Sequence, residues 1–181
     1  MERRKNIFAR GADYGALLGI WLAVMALAWI YADMAAPLAL LGLFMMVATP
    51  VVIFKFQRRE FLLAEGKAPF ADIWMLGILM IICASLITAV ATYVVFKWMR
   101  PEFIYTQASL AAQIYESTPE LGLTEMATVL RTAIEQGALP SPIQVVMSMF
   151  WFTTFTGSVL SAFTAALARM FPINKRNDKT D

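Results

Sequence analysis

Four long apolar segments, none with a charged residue inside it, constrain this chain more than any other feature. Each is close to or longer than the roughly 20 apolar residues that a helix needs to cross a hydrocarbon core of about 30 Å. The segments therefore predict an all-α, polytopic membrane protein with four transmembrane helices. The predicted spans cover approximately residues 14–32, 38–54, 73–96 and 143–168.

The composition supports this interpretation. Hydrophobic residues make up 60% of the chain and charged residues 15%, against about 25% charged in a soluble domain. The spans take up most of the 181 residues, so we expect a single four-helix membrane domain over residues 1–181. Residues 97–141 form the only sizeable segment outside the membrane, and we expect a small helical insertion there, too short to hold a catalytic domain.

Basic residues are concentrated on one side of the predicted membrane. Of the 15 Lys and Arg residues, four precede the first span, four separate the second from the third, and four follow the last. The positive-inside rule then predicts that both termini are cytoplasmic and that the 97–141 insertion is periplasmic. A cleaved signal peptide is rejected, because the first apolar stretch exceeds the usual length of about 7 to 15 residues and another span follows it.

Few residues are suited to catalysis or metal binding. The chain has one Cys and no His, so we expect no disulfide, no metal site and no cofactor. The predicted spans contain no ionisable group that could relay protons. The carboxylates of the insertion fit solvated helix faces, so no catalytic residue is nominated and no enzyme is expected. They are Glu102, Glu116, Glu120, Glu125 and Glu135.

The net charge of +2 gives no reason to expect nucleic acid as a partner. Basic residues near the span ends are instead candidates for lipid head-group binding. Each gains about 1 kcal/mol near anionic lipid, and the Arg fork matches phosphate oxygens. The candidates are Arg10, Arg58, Arg59 and Arg169. We favour the simpler interpretation that positive-inside bias alone explains them, with membrane lipids as general partners.

Small residues recur at helical spacing in the first and last spans. Their four-residue spacing places them on one helix face, where another backbone can approach closely. The two ridges are Gly11, Gly15 and Gly19, and Gly157, Ser161 and Ala165. We favour packing within one bundle over a seam between copies in a homo-oligomer, because such ridges are general helix contacts.

Hydroxyl side chains line parts of the third and fourth spans. Ser85, Thr88 and Thr92 share one face of the third span. Thr153, Thr154, Thr156, Ser158 and Thr164 are spread along the fourth. Such groups commonly bond their own helix or a neighbour, and we interpret them as structural. A passive translocator that moves lipid or small solutes along these faces is kept as the alternative function.

Glycines, prolines and small residues over nearly the whole chain resemble a known family. They are Gly11, Tyr14, Gly15, Gly19, Arg59, Gly66, Pro69, Phe70, Gly77, Pro140, Ser141, Pro142, Gly157 and Ser161. The pattern is similar to domain-of-unknown-function family 4199, a group of small Bacteroidetes inner-membrane proteins. The resemblance implies a four-span protein of the inner membrane with no established activity, ligand or catalytic residue.

Members of this family commonly occur together with glycosyltransferases that use polyprenyl-phosphate lipids. The resemblance therefore implies such an enzyme as a membrane protein partner. The residues themselves predict a non-catalytic accessory or scaffold protein. That it assists envelope lipid or glycan assembly is what the resemblance implies.

Overall fold

The computed structural model describes residues 2–117 and 124–170, with side chains from residue 7 and, after the gap, from residue 125. The described part of the chain forms six α-helices and no β-strand, which confirms the predicted all-α class. The helices are α1 (Glu2–Ile30), α2 (Ala36–Leu63), α3 (Phe70–Val94), α4 (Phe103–Ser117), α5 (Thr124–Glu135) and α6 (Pro142–Met170). A π-helical turn over Val95–Met99 extends α3.

Four of these helices are long and apolar enough to cross a membrane. The qualifying stretches are Ile7–Ile30, Ala36–Leu63, Phe70–Met99 and Pro142–Met170. The chain is therefore a multi-pass membrane protein. Two helices extend well beyond the predicted spans: α1 begins at Glu2, before the predicted boundary at residue 14, and α2 continues from the predicted boundary at residue 54 to Leu63.

The described helices fall into two compact units. Among the described residues, the first unit comprises 2–88 and 150–170, and so contains α1, α2, most of α3 and most of α6. The second unit comprises 89–117 and 124–149 and contains α4 and α5, which pack against each other. It includes the segment predicted as an insertion, of which Glu120 lies outside the described residues.

An ion pair links the two helices of the second unit. Arg131 on α5 donates a 2.7 Å hydrogen bond from Nη2 to Glu116 Oε2 on α4, and its Nε lies against the other carboxylate oxygen. The Glu116 carboxylate raises the pKa of the Arg131 guanidinium by hydrogen bonding and by charge. Glu116, predicted only as part of a solvated face, therefore also joins α4 to α5.

The core of the first unit is formed by buried residues of α1, α2 and α3, with Ile53 contributed by α2. Buried residues on α1 recur at the helical period, as expected for one face of a helix: Gly11, Tyr14, Gly15, Leu18, Gly19 and Leu22. Those on α3 do the same: Ile73, Leu76, Gly77, Met80, Ile81 and Ala84. Leu18, Met80 and Ala84 are at most 1% exposed. The centre of this unit is therefore filled with apolar side chains.

Local signals read from the sequence explain two helix ends. After α2, Glu65 and Gly66 adopt left-handed backbone angles, with φ of 52° and 74°, and the Gly66 N–H donates to the Phe61 carbonyl at 2.9 Å. The Glu65 N–H also donates to the Leu62 carbonyl at 2.9 Å, which completes a Schellman-type helix end. At the start of α6, the Ser141 N–H donates to Gln144 Oε1 at 2.8 Å, which is half of a capping box.

Candidate functional site

The glycines of α1 lie directly against α3. A Cβ atom at Gly15 would lie 2.6 Å from Cys83 Cβ and 2.9 Å from the Met80 carbonyl oxygen, closer than real side chains come. Gly11 and Gly19 face the same helix. The α1 ridge is therefore occupied by a contact within the chain.

The small residues of α6 also pack on α3. A Cβ atom at Gly157 would lie 2.7 Å from Ile81 Cγ2, and one at Gly77 would overlap Ser161 Oγ. Ser161 and Ala165 are fully buried. The absence of side chains at Gly15, Gly77 and Gly157 thus allows α3 to lie close to both α1 and α6.

A buried carboxylate lies where α1 begins and α2 ends, and we call this part of the first unit the basic end. Glu60 is 8% exposed. Its Oε2 accepts a 2.8 Å hydrogen bond from Arg10 Nη1, and its Oε1 accepts one of the same length from Tyr14 OH. The Tyr14 ring stacks on Phe56, and the Arg59 guanidinium lies 5.9 Å from the Tyr14 ring centroid.

A second polar contact joins α2 to α6 one helical turn away. Gln57 is fully buried, and its Nε2 donates to Ser161 Oγ at 2.8 Å and to the Ser161 carbonyl at 3.1 Å. Gln57 Oε1 is buried with no hydrogen-bond partner among the described residues. Arg58 Nη1 donates to the Ala168 carbonyl near the end of α6. Polar side chains of α2 therefore hold α6 in place.

A small cavity lies beside the buried carboxylate. Arg10, Glu60 and Asp72 contribute its charged lining, and its volume is about 200 Å³. Pockets for drug-sized ligands measure roughly 300 to 1,000 Å³. This cavity is therefore suited to water or a small ion.

A separate groove follows the outward face of α2. Its volume is about 370 Å³. The groove is lined by Phe54, Lys55, Arg58, Arg59, Leu62 and Leu63, which include three basic residues and no acidic one. This arrangement can attract anions by charge and hold an apolar chain by contact.

The structure divides the four residues that were candidates for lipid head-group binding. Arg58 and Arg59 lie together in the α2 groove and are joined there by Lys55, another basic residue near the end of the second predicted span. Arg10 instead pairs with Glu60, and Arg169 is exposed on α6.

Glu60 and Gln57 were not nominated from the sequence. The second span was predicted to end at residue 54, just before the first basic residue, so both residues were assigned to a connection outside the membrane. The helical spacing of four and three residues from Ile53 to Gln57 and Glu60 is visible in the sequence, but the burial of all three residues is seen only in the structure.

Comparison with known proteins identifies a family that matches the chain. No curated protein and no solved structure matches the chain. The sequence model of one family, described as "Protein of unknown function (DUF4199)", matches residues 13–170. This match covers most of the 181 residues and reaches from the first glycine ridge to the end of α6. The chain therefore belongs to this family, as the resemblance in its small residues and prolines predicted.

Proposed function

We propose that this protein is a non-catalytic accessory or scaffold protein of a bacterial inner membrane, which assists an enzyme of envelope lipid or glycan assembly. The proposed partner class is a membrane glycosyltransferase that uses a polyprenyl-phosphate lipid. The uneven distribution of basic residues supports an orientation with both termini in the cytoplasm.

One observation carries the proposal: the interior of the first unit is closed, while much of its apolar surface faces outward. Leu18 and Met80 fill the centre and are at most 1% exposed. In contrast, only 6% of the most apolar stretch of α6 is buried, against 44% for α1. A bundle of this kind is suited to contact with lipid and with other membrane proteins rather than to passage of a solute.

Three of the hydroxyl groups that suggested a permeation path, those of Thr88, Ser158 and Thr164, donate to carbonyl groups of their own helices. Thr88 Oγ1 donates to the Ala84 carbonyl at 2.9 Å, and Thr164 Oγ1 donates to the Leu160 carbonyl at 3.1 Å. Such bonds satisfy the hydroxyls without a passing solute. This supports a structural role for them.

A passive translocator of lipid or small solutes is the second candidate. It is favoured by three buried polar atoms that have no hydrogen-bond partner among the described residues: Gln57 Oε1, Ser85 Oγ and Thr154 Oγ1. Unpaired polar atoms in a membrane bundle are costly and are commonly satisfied by water. We rank this function second, because three atoms are few beside the apolar side chains that fill the same unit.

Co-purification tests the proposal. The full chain, tagged and expressed in its native host, is cross-linked in cells and extracted in mild detergent, and bound proteins and lipids are identified by mass spectrometry. An unrelated four-span protein with the same tag is the control. We expect an envelope-assembly enzyme at a fixed ratio to the chain and absent from the control. A defined bound lipid with no such protein would overturn the scaffold proposal in favour of translocation.

A further inference from the structure

We propose that the groove on the outward face of α2, between Phe54 and Leu63, binds an anionic lipid through a terminal phosphate group. The site stands apart from the accessory role, because it depends on the charge and shape of α2 alone. It would make lipid a specific ligand of this chain and not only its solvent.

Three cations are placed on one side of the helix. Lys55, Arg58 and Arg59 are spaced at i, i+3 and i+4, which makes them neighbours on a helix surface. Lys55 and Arg59 are exposed and Arg58 is half-buried. Lys55 and Arg59 can therefore reach one phosphate group together, and Arg59 adds a planar fork that matches two phosphate oxygens. Arg58 donates to the Ala168 carbonyl and adds its positive charge beside them.

The positive charge of this face is not neutralised by the nearest carboxylate. Glu60 is next in sequence to Arg59 but lies on the buried side of α2, where its two oxygens accept hydrogen bonds from Arg10 and Tyr14. The groove itself has no acidic residue in its lining. A general positive-inside bias requires basic residues at this end of the spans, but it does not require three of them on one face of one helix.

The apolar part of the groove favours a lipid over a free anion. Phe54, Leu62 and Leu63 line it beside the cations. The same face continues along α2 through Val51 and Val47, which are 53% and 68% exposed, at steps of four residues from Lys55. A phosphate held by the cations would leave an acyl chain lying along these residues.

The charge count indicates the type of headgroup. A phosphate monoester carries a charge of about −1.5 to −2 near neutral pH, and a lipid phosphodiester carries a single charge. Three clustered cations complement the monoester better, because each basic residue adds its own attraction. We therefore assign the groove to lipids with a terminal phosphate.

The purified full chain in neutral detergent is titrated with short-chain phosphatidate as the monoester, phosphatidylglycerol as the diester, phosphatidylcholine, and inorganic phosphate. Binding is followed by thermophoresis and stoichiometry by native mass spectrometry. We expect one phosphatidate per chain, bound more tightly than either other lipid. Lys55→Gln and Arg59→Gln should each weaken this binding about fivefold, as loss of one basic residue beside an anionic lipid predicts.

Matched variants separate this site from a diffuse basic rim. Arg169→Gln removes an exposed basic residue of α6, one position from the carbonyl that Arg58 contacts, and should leave the dissociation constant unchanged. Lys55→Arg keeps the charge and should keep the binding. The assignment is overturned if Arg169→Gln weakens binding as much as Arg59→Gln. It is also overturned if inorganic phosphate displaces the lipid at equal concentration, or if phosphatidate does not saturate.

Discussion

Gln57 on α2 donates a 2.8 Å hydrogen bond to the hydroxyl group of Ser161 on α6, although 104 positions separate the two residues in the chain. Both side chains are fully buried. The contact lies against Gly77 of α3, where a Cβ atom would overlap the Ser161 hydroxyl. Three helices of the first unit therefore meet at one polar contact, which only a glycine at position 77 leaves room for.

A double-mutant cycle should detect this bond. Gln57→Ala, Ser161→Ala and the double variant are compared by reversible unfolding in detergent micelles. Hydrogen bonds between membrane helices contribute about 0.6 kcal/mol on average and about 1.7 at most, so we expect a coupling free energy in that range. Strictly additive effects of the two substitutions would show that the contact does not stabilise the protein.

The glycine ridge of α1 gives a graded prediction. A Cβ atom at Gly15 would lie 2.6 Å from Cys83 Cβ, whereas one at Gly11 would lie 3.1 Å from Leu79 Cβ. Gly15→Ala should therefore cost about 1 to 3 kcal/mol of unfolding free energy, as overpacked sites do, and Gly11→Ala should cost less. Both substitutions gain the same helix propensity, which cancels in the comparison. Equal stability of the two variants would place the ridge away from α3.

The buried Glu60 carboxylate predicts both the direction and the size of changes in unfolding free energy. Arg10 is partly exposed, so Arg10→Gln should destabilise the protein by about 1 to 3 kcal/mol, somewhat less than a fully buried pair loses. Adding Glu60→Gln should restore part of this loss, because no unpaired charge is then buried. Lys67→Gln is the control, since its pair with Glu65 is exposed and contributes at most about 1 kcal/mol. A double variant less stable than Arg10→Gln would contradict this reasoning.

The fold class followed from the sequence because uncharged apolar segments of this length have few alternatives in a membrane protein. The buried contacts of the basic end could not be predicted from the sequence. A charged residue in a sequence looks like a membrane boundary whether it is solvated or buried in an ion pair. Glu60 shows the difference: its pairing with Arg10 depends on the chain folding back over a separation of 50 positions. The glycine ridges were recognisable, but their common neighbour α3 was not, since a ridge specifies close approach and not which helix approaches.

The orientation remains a prediction and can be tested with reporters. A reporter that is active only in the cytoplasm is fused at Gly66, in the turn after α2, or at Gly137, which has open space around it. We expect activity at Gly66 and none at Gly137, because twelve of the 15 basic residues lie on the first side. Six of those twelve are Arg3, Arg4, Lys5, Lys175, Arg176 and Lys179, whose side chains lie outside the described residues. The reverse pattern of activity would show that the termini lie on the opposite side of the membrane from the one predicted.

Reconstitution of the purified chain alone in liposomes tests the central claim, that the protein assists another and moves nothing itself. The vesicles carry an imposed pH gradient, and a panel of lipid and small-solute probes is followed between about pH 6 and 8. The chain has no His, so the unperturbed pKa of every side chain lies outside this range. We predict no probe movement above that of protein-free vesicles at any pH. Passive movement of a probe would contradict the accessory role in favour of a translocator, and accumulation driven by the pH gradient would contradict both.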